Sequence, residues 1–404
     1  MLITDPVALQ HVLVSNGANY PKKPITMAYF RDMILGESLI AVEGKQHHAF
    51  RKWMNPLHRL EHQIFHWDLQ HNAPVDLSKV LSKLMLSIIG LTVLGFNFDE
   101  SPVAFEAYEQ SMLAISPVML IGVMTIPGFL SFPIPSLMRR RKAQANLKRI
   151  VQQIIQDKLA MPSSEKPKDL LDMILPHSTT EQAIAHTVAF MAAGYDSSSS
   201  TLCFVLGTLA SHPKVVAALR SEYIKAILKH GSLSSWEAVA DLSYTQAVIQ
   251  ETLRVNAVAI STLNRITVAD DHIPMSDGST VFIPKGTSIY VSIAAMHHNP
   301  KYWTDPESFI PDRFIEGTPE WNADLALRGG KSHAFHYMPF SFGSKGCIGY
   351  RFAMTKLQLI VATLVSKYDF IPTSKTDMRQ WFSGATIRPV NLEMSVRRVT
   401  PPCA

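Results

Sequence analysis

Phe340-Ser-Phe-Gly-Ser-Lys-Gly-Cys-Ile-Gly349 sets one cysteine, Cys347, in a glycine-rich loop. An apolar run with helical period, Tyr350 to Lys367, follows directly. Glycines at 343, 346 and 349 carry no Cβ, so the backbone can turn tightly and approach a flat ligand closely. The N-terminus of the following helix offers unpaired N–H groups and the positive end of a dipole. Both favour a thiolate over a thiol. One cysteine alone cannot build a zinc or iron–sulfur cage. A single thiolate with room for a planar cofactor points to iron held in haem through an axial cysteine, with Cys347 as the metal ligand.

Phe340, Gly343, Cys347 and Gly349 match the signature Phe-x-x-Gly-x-Arg-x-Cys-x-Gly. On these residues the chain resembles the haem-thiolate monooxygenases, the cytochrome P450 family, in its microsomal, fungal-like form. Lys345 stands where the signature has Arg. The resemblance implies a mainly α fold with small β-sheets, a single triangular domain over residues 1–404 built on a long central helix. It also implies haem b seated against Phe340, Cys347 and Gly349, with Lys345 near the propionates.

The 404 residues are 47% hydrophobic and 18% charged, the composition of a globular protein with an apolar bias. A net charge of +5 is too small and scattered for nucleic-acid binding. Three cysteines, at 203, 347 and 403, make no disulfide framework. No linker, internal repeat or low-complexity tract divides the chain. No signal peptide opens it; Met1 to Pro6 reads as the end of a strand before a helix start, expected from Asp5 to Val14. The resemblance implies that a hydrophobic anchor and the first strands are missing from it.

Further matches follow in family order. In Gly44-Lys-Gln-His-His-Ala-Phe-Arg51, His47 and Arg51 lie i, i+4 on one helix face, where the resemblance implies contacts to the haem propionates. The alternative is a solvated basic helix, since Lys45, His48 and Lys52 lie among them. After Asn55-Pro56, residues 57 to 75 are shorter than the family's usual passage. Val80 to Leu94 reads as a buried helix ending at Gly95. Ser111 to Met138 has no charge and is followed by Arg139-Arg-Arg-Lys142. Its four prolines and two glycines favour a pocket-lining segment at a membrane surface over a span. Gln144 to Met161 reads as an amphipathic helix, and residues 163–168 as a polar loop.

Thr180 to His212 reads as a long helix, capped by Thr179 or Thr180. At its middle Ala193-Gly-Tyr-Asp-Ser-Ser198 matches the family's Ala-Gly-x-Asp/Glu-Thr-Thr/Ser. The resemblance implies a bulge here that opens an oxygen groove, with Asp196 and Ser197 as the catalytic pair that relays protons into it. Four consecutive serines and a glycine are poor helix chemistry, which hints that function overrides propensity. Glu251-Thr-Leu-Arg254 and Arg313 of Pro-Asp-Arg-Phe correspond to the family's structural ion triad. Arg265, opening a strand of Asn264 to Asp270, corresponds to a second propionate ligand, and Val258 to Leu263 would face substrate. His297 and His298 diverge on a helix and make no metal pair; His333 and His336 read as loop histidines. Short strands are expected at Val281 to Ile283, Ser288 to Ile293, Asp369 to Pro372 and Leu392 to Val396, and the loop at Phe382-Ser-Gly-Ala is expected near substrate.

The resemblance implies insertion of one oxygen atom from O2 into an apolar small molecule, with electrons from NADPH through a flavoprotein reductase. Lys345, Arg351 and Lys356 would form that partner's docking face. A membrane surface is expected as a partner, at the cytosolic face of the endoplasmic reticulum, or else a cytoplasmic location. The competing readings are a haem-thiolate isomerase or dehydratase and a non-catalytic remnant.

Overall fold

In a computed structural model, residues 1–54, 74–112, 117–126, 128–160, 167–383 and 386–399 are described. The chain opens with β1 (Leu2–Ile3), α1 (Pro6–Gln10), α2 (Pro24–Met33) and α3 (Gly44–Met54). Then come β2 (Pro74–Asp76), α4 (Leu77–Leu94), α5 (Pro102–Ser111), α6 (Pro117–Thr125), α7 (Pro135–Ala160) and α8 (Leu170–Ile174). The middle holds α9 (Thr180–Leu209), α10 (Pro213–His230), α11 (Trp236–Ala240) and α12 (Ser243–Val255). A run of strands follows: β3 (Arg265–Ile266), β4 (Asp271–Pro274), β5 (Thr280–Ile283) and β6 (Ser288–Val291). The chain closes with α13 (Ile293–His297), α14 (Pro319–Leu327), α15 (Tyr350–Lys367), β7 (Tyr368–Pro372), β8 (Asp377–Phe382), β9 (Ile387–Asn391) and β10 (Glu393–Arg398).

The architecture is mainly α with small sheets, as expected. Two sheets have three strands, ordered β1-β6-β3 and β2-β10-β7, and β4-β5 and β8-β9 are antiparallel pairs. β1 runs parallel to β6, with Leu2 opposite Tyr290. The helices start where the sequence supplies caps. Asp5 accepts from the N–H groups of Val7 and Ala8 ahead of α1. Thr179 and Gln182 form a reciprocal capping box on α9. Gly95 ends α4 at φ +66°, a conformation that costs glycine little.

α9 is the core. Residues 198–206 are all buried, and α4, α12 and α15 pack around it. Gly194 has a packing reason beyond backbone freedom: a Cβ there would lie 2.8 Å from Ile89 Cδ1 on α4. Two expectations are corrected here. The strand from Asn264 shrinks to Arg265–Ile266. The helix expected from Gln144 already begins at Pro135 and carries Arg139 to Lys142 within it.

Ser111 to Met138 is not a single helix. α5 ends at Ser111, α6 is a separate piece, and a short turn at Phe129–Ser131 precedes α7. Ile121, Ile126, Phe132 and Met138 are exposed along it. Among the described residues α4 alone is long and apolar enough to cross a bilayer, and it is mostly buried in the protein. The short passage after Pro56, most of the 163–168 loop, Gly384-Ala385 and Cys403 lie outside the described residues.

Candidate functional site

The cysteine loop is closed by its own backbone. The Cys347 N–H donates to the Phe340 carbonyl at 2.8 Å, and the Gly346 N–H donates to Gly343 O at 3.0 Å. Gly343 sits at φ +75°, and a Cβ there would fall 2.1 Å from the Leu13 carbonyl oxygen. No other residue fits that position. Gly349 has ordinary φ and caps α15; its N–H is directed at the Cys347 sulfur. The Phe340 ring meets Tyr350 edge-on, with centroids 4.8 Å apart.

Cys347 is exposed on the surface of this recess, yet the protein walls it so closely that burial pushes its thiol up. The Gly349 N–H and the nearby Arg51 charge oppose that shift and do not overcome it. The N–H at the helix start thus favours the thiolate, as expected, while burial, which the sequence did not reveal, works against it. Desolvation of the anion outweighs the partial dipole charge here.

α3 resolves the choice between a solvated basic helix and an inward face. His48 and Lys52 point to solvent, while His47 and Phe50 are buried and Arg51 turns inward. Arg51 Nη1 donates to the Gly346 carbonyl at 2.7 Å, tying α3 to the cysteine loop. His47 is held to about 4 by burial, with Lys22 next in weight, so it is neutral at pH 7. Arg265 is buried, and its Nη1 donates to Tyr20 O at 3.2 Å while its Nε is without a partner. Lys345 is not a surface cation: its Nζ lies 2.5 Å from Glu43 Oε2.

Lys22 and Glu43 were not anticipated. Lys22 pairs in a bridge with Arg265, and its N–H and ammonium both approach Glu43 Oε1, at 2.9 and 3.9 Å. Burial brings Lys22 down to about 8. Burial would raise the Glu43 carboxyl, but Lys345 and the Lys22 N–H hold it below the ordinary range. The only available signal was local: a lysine in Pro21-Lys-Lys-Pro24, and an acid just before the Gly44 helix start. His47, Arg51, Arg265 and Lys345 thus gather with Lys22: Lys345 and Lys22 contact Glu43, Arg265 feels its charge, and Arg51 lies beside Cys347, so four basic side chains stand with one carboxylate. That excess and the unpartnered Arg265 Nε suit a ligand carrying carboxylates. Cys347 offers a sulfur donor beside them, and no cluster of three metal-ligating side chains occurs among the described residues. These residues fit iron porphyrin.

On α9, Ser197 Oγ donates back to Ala193 O at 2.6 Å. The expected bulge is absent: α9 runs as uninterrupted α-helix through residues 193–198. Ala193 is nevertheless exposed at mid-helix, so this face looks into open space. The Asp196 carboxylate accepts from Thr386 Oγ1 at 2.6 Å, a contact that sequence reading missed because the β8–β9 hairpin was not foreseen.

The ion triad is larger than expected. Glu251 accepts from Arg254 Nε at 2.7 Å, Arg254 Nη2 at 2.8 Å, Arg313 Nε at 3.1 Å and the Ile310 N–H at 2.8 Å. Arg313 Nη1 also reaches Asp324 at 2.7 Å. His297 joins this set to the cysteine loop, accepting from Met338 N–H at 2.8 Å while facing Leu253 O at 3.3 Å. His333 lies in the loop as expected, half-buried and stacked between Trp303 and Phe314. The expected docking face is corrected too: Lys356 is buried, Lys345 is half-buried against Glu43, and of the three only Arg351 is exposed.

A family model described as Cytochrome P450 matches residues 1–396. Cytochrome P450 monooxygenase 91 of Postia placenta is 27% identical, over 93% of this chain and 80% of that protein. Ganoderic acid synthetase CYP5150L8 of Ganoderma lucidum is 26% identical over the same shares. Human cytochrome P450 3A5 is 32% identical over 77% of this chain and 62% of that protein. The solved structure of a retinoic acid bound cyanobacterial CYP120A1 superimposes with TM-score 0.79 at 19% identity, covering 98% of this chain and 89% of that one.

Proposed function

The chain belongs to the cytochrome P450 family of monooxygenases, and from that premise we propose that it inserts one oxygen atom into an apolar small molecule of secondary metabolism. The observation that carries this reading is one open sulfur in a closed glycine loop beside four cations and a single carboxylate. When bound, haem b supplies the reductive activation of dioxygen, with one atom going to substrate and one to water.

Cys347 is the metal ligand, and the Gly349 N–H directed at its sulfur tempers the charge. Arg51, Arg265, Lys345 and Lys22 hold the propionates, and neutral His47 adds one hydrogen bond. Lys345 is a point charge where arginine gives a fork. Phe340 packs Tyr350 beneath the loop. Asp196 and Ser197 manage the protons on the α9 face. NADPH electrons arrive through a flavoprotein reductase. The relative from Ganoderma lucidum is named a ganoderic acid synthetase, and a lipid, terpenoid or polyketide-like molecule suits the apolar segment carrying Ile121, Ile126 and Phe132. Exposed Ile121, Ile126, Phe132 and Met138, next to Arg139, Arg141 and Lys142, suit a membrane surface at the cytosolic face of the endoplasmic reticulum.

The test is the absorption spectrum of the reduced, carbon-monoxide-bound protein. The wild type is expected to give the red-shifted Soret band of thiolate ligation, and Cys347→Ala to lose it. A wild-type band typical of a nitrogen ligand, or no bound haem, would overturn the proposal.

A further inference from the structure

The β8–β9 turn touches the central helix at one charged atom. Thr386 Oγ1 donates to Asp196 Oδ2 at 2.6 Å, and Ser383 Oγ approaches the same oxygen at 3.4 Å. The two hydroxyls also meet each other at 3.2 Å, and Thr386 lies 3.4 Å from Ser200 Oγ on α9. Thr386 is buried, so its hydroxyl has little water to exchange with. One residue on, the Ile387 N–H donates to Val258 O at 3.0 Å, within the segment expected to face substrate. Around Asp196 stand Tyr108 of α5 and Tyr195 and Cys203 of α9. None of them donates a described hydrogen bond to the carboxylate, so the direction of Asp196 is set by the two turn hydroxyls.

We propose that Thr386, assisted by Ser383, is the positioning residue for Asp196, holding its carboxylate on the pocket turn and linking it through Ile387 to the Val258 wall. A charge-assisted hydroxyl–carboxylate bond is among the stronger hydrogen bonds, and it is directional. Ser197 keeps its hydroxyl on Ala193 O and so leaves Asp196 to the turn. The acid and the substrate wall then move as one unit, and displacement of the turn re-aims the acid.

This inference rests on the proposed haem-thiolate function, and the test separates the two. The probe is carbon monoxide on the reduced, haem-loaded protein, read by the infrared C–O stretch, which senses nearby dipoles without turnover. Thr386→Val, which keeps the shape and removes the donor, is expected to shift or split the band. Thr386→Ser is expected to restore the wild-type band, and Ser383→Ala to give a smaller change. In an Asp196→Ala background, Thr386→Val is expected to change nothing further. An unchanged band in Thr386→Val, or an equal change with and without Asp196, would overturn the inference while the parent function stands. Failure of the wild type to bind carbon monoxide would overturn both.

Discussion

Around Glu251, two guanidiniums meet two carboxylates, with Glu251, Arg254, Arg313 and Asp324 wholly buried. Around Glu43, Lys345 and Lys22 share one carboxylate, Arg265 lies within reach of its charge with Nε unpartnered, and Arg51 stands nearby on the cysteine loop. The first cluster is complete within the chain: each Glu251 oxygen is engaged, and Arg254 also donates to carbonyls of His297, Pro306 and Ser308. The second is balanced only when anions arrive. Burial of a charge is tolerated when it is paired, and removing one member of a paired set leaves the others stranded. Removing a member of the unbalanced set relieves repulsion instead. The same residue types therefore serve architecture in one place and binding in the other, and substitutions should separate the two by sign.

The largest effect is expected at Glu251. Glu251→Gln leaves two arginines and Asp324 mismatched in a dry core, a loss of about 3–5 kcal/mol. Set against typical total stabilities of about 5–15 kcal/mol, that amounts to poor soluble yield and a much lower urea midpoint. A loss under about 1 kcal/mol would place this set with ordinary surface pairs and break the contrast.

Next comes acid. Burial and the neighbouring Arg254 charge hold His297 down to about 3, so it is neutral while it accepts from Met338 N–H. A group with a depressed histidine value is proton-poor in the fold and proton-hungry when unfolded. Its contribution is fully present above the unfolded value near 6.5 and is lost progressively as pH falls toward 3. From pH 6.5 to 5, His297 alone should cost about 1.5 kcal/mol. Urea midpoints across that range should fall more steeply for the wild type than for His297→Asn; parallel slopes would exclude His297 as the source.

Arg265 sharpens the other half. Arg265→Met removes a buried cation with an unpartnered Nε, so the haem-free protein should keep its stability or gain slightly. Haem should leave the loaded protein about tenfold faster, near 1.4 kcal/mol, measured by transfer to a haem acceptor. Destabilisation of the haem-free form as large as that from Glu251→Gln would make the two clusters alike.

Much of this was legible in the sequence because the relevant signals are local. The cysteine loop, the α9 centre and Glu251-x-x-Arg254 each carry their residues within ten positions, and capping residues set the ends of α4 and α9. What stayed hidden depends on contacts between distant segments. Lys22 meets Glu43 only because β3 brings Arg265 beside the N-terminal segment. Thr386 reaches Asp196 across 190 positions through a hairpin whose strands carry weak alternation. Helical period cannot tell that Lys356 lies inward over Phe352, which is why a docking face read from charge alone failed. The thiol of Cys347 is the clearest case: a dipole can be inferred from order along the chain, but desolvation depends on the walls around the recess.

The smallest effect is the most selective. Lys345 gives Glu43 one short contact, and its side chain is only 14% exposed. Arginine at this position could keep Glu43 with one arm of its fork and offer the other to a propionate. Lys345→Arg is therefore expected to slow haem loss about two- to threefold, roughly 0.5 kcal/mol, with no change in the haem-free urea midpoint. The same substitution in a Glu43→Gln background should gain more, because both arms are then free for the ligand. If Lys345→Arg instead stabilised the haem-free protein and left retention unchanged, Lys345 would belong with the internally balanced charges, and the surplus beside Cys347 would shrink to Lys22, Arg51 and Arg265.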